Sequence, residues 1–112
     1  MGIAKSLGVI AAGAAWNVGH PGWAGRALID ALGSDDENAR TIAGMLLTKG
    51  GAHALPLLRD AMKNEQNLPM VLAVAGSIGD ASIAPDVRRF VNHRDPKVAG
   101  AAKDASRALG AS

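Results

Sequence analysis

The 112-residue chain is predicted to be all-α, a short right-handed α-solenoid of about three helix pairs behind an N-terminal helix. Three observations lead there. The first is internal repetition. Ala52-His-Ala-Leu-Pro-Leu-Leu-Arg-Asp-Ala-Met62 is echoed 29 positions later by Ala81-Ser-Ile-Ala-Pro-Asp-Val-Arg-Arg-Phe-Val91, so that Pro56 stands over Pro85, Leu58 over Val87, Arg59 over Arg88 and Met62 over Val91. A fainter copy lies one period upstream, where Ile29, Asp30 and Leu32 stand over Leu58, Arg59 and Ala61. Self-similarity of this kind marks stacked units, none of which buries its apolar face without neighbours. The second is composition. Hydrophobic residues make up 48% of the chain and aromatic ones 3%, so the core must be built from Ala, Leu, Ile, Val and Met, which suits close helix packing. Gly numbers 14, and each interior glycine weakens a helix by about 1 kcal/mol against alanine, so helicity must draw on tertiary contact. The third is periodicity: no segment alternates with period two, so strands have no support.

The elements follow in order. In residues 1–18, Ile3, Leu7, Ile10, Ala11 and Ala14 form a stripe expected to pack on the second helix. The same segment, with Lys5 ahead of an apolar run and small residues after it, also has the layout of a secretory leader, and the sequence leaves a targeting role open. It is shorter than the about 20 apolar residues a membrane span needs. After a turn at Asn17 to Gly22, a helix carrying Ala24, Leu28, Ala31 and Leu32 ends at Gly33. Ser34-Asp-Asp-Glu37 reads as a capping box for the next, whose buried face is Ala39, Ile42, Ala43, Leu46 and Leu47 and whose stop is Gly50-Gly51. Ala54, Leu55, Leu58, Ala61 and Met62 line the following helix. Leu68 to Ile78 is apolar almost all round, as a central helix should be, and Gly79-Asp80 closes it. Ile83, Val87, Phe90 and Val91 line a short helix broken at Asn92 to Pro96, and Val98, Ala102, Ala105 and Leu109 line the last. That makes seven helices in a single domain over 1–112, with 1–18 as the apolar N-terminal helix and 23–110 as the repeats. Pro56 and Pro85 fall in first turns, where the missing N–H had no helical partner.

Arg40-Thr-Ile-Ala-Gly-Met-Leu-Leu-Thr-Lys-Gly-Gly-Ala-His-Ala-Leu-Pro-Leu-Leu-Arg59, Ile78-Gly-Asp-Ala-Ser-Ile-Ala-Pro-Asp-Val87 and Asp95-Pro-Lys-Val-Ala-Gly-Ala-Ala-Lys-Asp-Ala-Ser-Arg-Ala-Leu109 resemble the HEAT-like repeats also found in phycocyanobilin lyases. The resemblance covers roughly residues 23 to 110 and departs from the pattern at Met70, where a basic residue often stands. It implies a protein-binding scaffold, or, as in a minority of such arrays, a handler of nucleic acid, bilins or metals.

No catalytic constellation is legible. His20, His53 and His93 lie far apart near turns, none in a His-x-x-x-His or His-Glu pair, and the chain has no cysteine. The iron-binding HEAT-like hydroxylases carry His-Glu pairs, which are missing here. Asp35-Asp36-Glu37 fits a capped helix start better than a cation site, and Gly50-Gly51 lacks the strand and the Lys-Ser or Lys-Thr of a phosphate loop. No catalytic residue, metal or cofactor is therefore expected. The lack of cysteine fits a reducing, cytoplasmic setting.

The expected function is a non-enzymatic protein–protein interaction module, an adaptor, scaffold or inhibitor-like binder that uses the inner face of the array. The repeat register predicts its rows: Asp30, Arg59 and Arg88 in one, and Ser34, Lys63 and Asn92 in the next. At the N-terminal end Ile3, Leu7, Ile10, Trp16 and Trp23 are candidates for a partner interface or homo-oligomer contact, with capping of the exposed core edge the favoured role of the two tryptophans. A membrane surface is less favoured, the segment having little basic content. Two alternatives remain. Arg88, Arg89, Arg94, Lys97, Lys103 and Arg107 outnumber Asp86, Asp95 and Asp104 at the C-terminal end and could neutralise nucleic-acid phosphates, although aromatic stacking groups are scarce. A small ligand carrier or lyase-like protein would need a pocket with convergent polar groups.

Overall fold

The computed structural model describes the backbone of residues 2–110 and the side chains of residues 8–110. Those residues are all-helical: α1 (Gly2–Gly19), α2 (Gly22–Ala31), α3 (Glu37–Gly50), α4 (Leu55–Lys63), α5 (Leu68–Ile78), α6 (Ala84–Arg88) and α7 (Pro96–Ala108), with 3-10 turns at Gly51–Ala54 and Ala81–Ile83 leading into α4 and α6. The starts are set by local chemistry. The Asp36 and Asp95 carboxylates accept from the backbone N–H of Asn38 and Lys97 and cap α3 and α7, and Asp80 does the same for Ser82 ahead of the second 3-10 turn. Ser34 is not the cap of α3; its hydroxyl accepts from the Asp36 N–H instead. Pro56 and Pro85 occupy the first turns of α4 and α6. Gly79 ends α5 at φ 75°, a conformation that costs a side-chain-bearing residue about 1 kcal/mol or more.

Packing follows a regular neighbour pattern: α1 lies on α2 and α3, α3 on α5, and α5 on α7, while α2 touches α3 and α4, α4 touches α5, and α6 touches α7. One core runs through all of them, from Val9 and Trp16 to Val98, Ala102 and Ala105. Some positions 29 residues apart are alike in burial, though Met62 is buried and Val91 only partly so. Ile29, Leu58 and Val87 are all buried, as are Leu32, Ala61 and Phe90. Small residues let the helices close: a Cβ on Gly76 would stand 3.0 Å from the Ala105 Cα, so a larger residue there would require α5 and α7 to shift apart by a few tenths of an ångström.

Other features also differ from the sequence expectation: α1 runs through Asn17 to Gly19, where a turn was expected. The helix expected to reach Val91 is α-helical only to Arg88 and continues as turn. On α1 the buried stripe is Val9, Ala12, Gly13 and Trp16, while Ile10, Ala11 and Ala14 are exposed; the side chains of Ile3 and Leu7 lie outside the described residues. In a helix this rich in alanine and glycine, hydropathy scarcely separates the faces, and the winning face is the one that approaches closest. Gly13 supplies that approach, since a Cβ on it would stand within the reach of the Leu46 side chain.

Candidate functional site

The predicted inner-face rows lie on α2, α4 and α6 and the turns after them, and their members are not equally free. Arg59, on α4, donates from Nε to Asp86 Oδ2 at 3.2 Å and from Nη2 to the Ser82 carbonyl and hydroxyl, tying α4 to the next helix start. Asp30 accepts from Gln66 Nε2 at 2.6 Å. His93 accepts the Asp95 N–H on Nδ1, which places its own proton on Nε2, 3.3 Å from Glu65 Oε1. The links from Arg59, Asp30 and His93 to Asp86, Gln66 and Glu65 join segments 27 to 36 residues apart in the chain. Lys63, Arg88 and Asn92 are exposed and Ser34 is half-buried. Of the basic C-terminal residues, Arg107 pairs with Asp104 and Arg89 lies 3.9 Å from Asp86, whereas Arg94, Lys97 and Lys103 project into solvent.

Asp80 illustrates the electrostatics of these turns. The Ser82 backbone N–H and then its hydroxyl, with a smaller contribution from the Arg59 guanidinium, hold the Asp80 carboxyl below the usual carboxylate range. A group whose pKa is depressed by folding adds stability that is present above its unfolded value and lost as pH falls through its folded one. Asp80→Asn keeps the capping geometry and removes the charge. Its melting temperature is therefore expected to lie below wild type near neutrality and to converge on it as pH drops below the ordinary carboxylate range; parallel melting curves across the acid series would show that the cap charge contributes nothing.

The N-terminal candidates divide. Trp16 is 1% exposed, and its indole sits where Cβ atoms on Gly25 and Gly50 would stand 2.9 and 2.8 Å from it, so it belongs to the core rather than to a surface. Ile10 and Trp23 are exposed, 52% and 59%. At the end of α1, His20 takes a left-handed backbone (φ 53°) and its ring meets the Trp16 edge and stacks on His53 at 3.9 Å between centroids. Among the described residues no three His, Cys, Asp or Glu side chains converge as metal ligands, and no helix is long and apolar enough to cross a membrane.

A concavity lies elsewhere, between α3 and α5. It encloses about 460 Å³ and is lined by Thr41, Met45 and Thr48 on one side and Met70, Ala73 and Val74 on the other, with Arg40 and Lys49 towards its two ends. Met45 is 58% exposed on its rim. Across Ala73 and Ser77 it adjoins a second depression of about 400 Å³ against α7. Sequence reasoning missed this site because the register drew attention to the shorter helices. One signal was available: Met45 is an apolar residue on the outward face of α3, flanked by Thr41, Thr48 and Lys49. No family model, curated protein or solved structure matches the chain.

Proposed function

We propose that the protein is a non-enzymatic interaction module, a short α-solenoid of HEAT-like helix pairs that receives an apolar segment of another protein between α3 and α5. The observation that carries this reading is the open, methionine-rimmed groove, since apolar surface left in contact with water marks binding sites more often than structural faults. Methionine suits the task because its flexible thioether chain adapts to varied partners. The solenoid is supported by the neighbour pattern, in which α1, α3, α5 and α7 meet in succession. The rows on α2, α4 and α6 are a poorer site, because Arg59 and Asp30 already bond within the chain.

The test is fluorescence anisotropy with a panel of synthetic amphipathic helical peptides and their scrambled counterparts. Amphipathic members are expected to bind at least about tenfold tighter than the scrambles, and Met45→Glu to remove most of that difference, since burying a methionine side chain contributes about 1.5–3 kcal/mol. Met45 is exposed, so the variant should keep wild-type circular dichroism. Equal binding of amphipathic and scrambled peptides would overturn the reading, as would a Met45→Glu variant that binds like wild type.

A further inference from the structure

Building on that docking reading, we infer that the occupant of the α3–α5 groove is an acidic amphipathic helix of a partner protein, its apolar face inserted between the two helices and its flanking carboxylates meeting Arg40 and Lys49. The lining decides both parts. Its α3 side is formed by Arg40, Gly44 and Thr48 in one row and Thr41, Met45 and Lys49 in the next, each row stepping by one helical turn. On α5, Met70, Ala73, Val74 and Ser77 form the opposing ridge. The trough therefore runs along helix axes and spans about 13–14 Å from Arg40 to Lys49 at 1.5 Å per residue.

The lining offers few polar partners. The Thr48 hydroxyl donates to the Gly44 carbonyl at 2.8 Å, so its donor is already used within α3. An extended peptide laid here would press unpaired backbone N–H and C=O groups against methyl and thioether surface, which is costly. A helix satisfies its own backbone and presents apolar side chains at i, i+3, i+4 and i+7, the recurring solution for grooves of this shape.

Charge selects the sign of the flanks. Arg40 and Lys49 are the two charged residues of the lining, and no carboxylate contributes to it. Arg40 donates Nη1 to the Ser34 carbonyl at 2.6 Å, which steadies the guanidinium while leaving further N–H groups to donate. Lys49 is exposed, with no ion pair among the described residues. Glu37, the first residue of α3, lies beyond the lining. A helix whose carboxylates lie about two and a half turns apart on the flanks of its apolar face meets both cations at once. A basic helix would bring like charges together at both ends.

The experiment uses three peptides that share one apolar face and differ only in flank charge, acidic, neutral or basic, titrated by anisotropy against the full chain at low and high salt. The acidic peptide is expected to bind at least about threefold tighter than the neutral one, with the gap narrowing as salt rises. Lys49→Glu should erase or reverse that order. If all three bind alike, and all are lost with Met45→Glu, the groove docks partners but the acidic assignment falls; if none binds, the docking reading falls with it. Light scattering of the chain alone covers the remaining occupant. A concentration-dependent dimer abolished by Met45→Glu would assign the groove to a second copy and overturn the inference.

Discussion

Leu58→Asp is expected to abolish the cooperative thermal transition. Leu58 has no exposed surface, lies on α4 beside the buried Leu55, Ala61 and Met62, and shares its buried position with Ile29 and Val87 one period away on either side. A carboxylate placed there would lose its hydration with no cation or donor to replace it, at a cost of several kcal/mol. It would also forfeit the apolar contacts of the leucine, about 2 kcal/mol or more. Small domains are stable by only about 5–15 kcal/mol, so the sum is comparable with the whole. Lys63→Asp, on the same helix but exposed, is the control and should unfold within about 1 kcal/mol of wild type. Circular dichroism melts of both variants decide the matter. A cooperative transition for Leu58→Asp within a few degrees of wild type would show that α4 does not turn this face to the core.

The second large effect belongs to Trp16→Ala, for which urea denaturation should show a loss of about 3 kcal/mol, near the low end of the range for truncating a large buried aromatic. The cavity would be lined on two sides by Gly25 and Gly50, which have no side chains to move into it, so collapse would be limited. What holds the cost down is the indole N–H, which is buried without a hydrogen-bond partner among the described residues and so carries a desolvation penalty of about 1–3 kcal/mol. Trp16→Phe removes that donor and leaves a smaller void, and is expected to lose less than half as much as the alanine variant. Should Trp16→Ala lose under about 1 kcal/mol, α1 would not be held to α2 and α3 by this side chain.

Local signals in the chain were reliable where they were chemical. The aspartates ahead of α3 and α7 cap them, Pro56 and Pro85 mark the starts of α4 and α6, and Gly79 ends α5 in a left-handed conformation. Burial on α2, α4 and α6 was legible because large aliphatic residues recur against polar neighbours. The face of α1 was not, because its alanines and glycines differ little in hydropathy and the choice fell to the side that lets Leu46 and the Trp16 indole pack closely. The freedom of the row residues was not legible either. Whether Arg59 projects toward a partner or bonds to Asp86 depends on a residue 27 positions away.

By itself, then, the sequence determined that this protein is helical, roughly where most of its helices lie, and which side of most of them is apolar, since those properties are settled by residues within a turn or two of one another. Only the tertiary structure decided that the tryptophan nearest the N-terminus is core, that Arg59 and Asp30 are engaged within the chain, and that an apolar groove opens between α3 and α5. A groove is the space left between two surfaces. Met45 and Met70 become its walls only when helices from different parts of the chain are brought side by side, and no period in the sequence records how closely they meet.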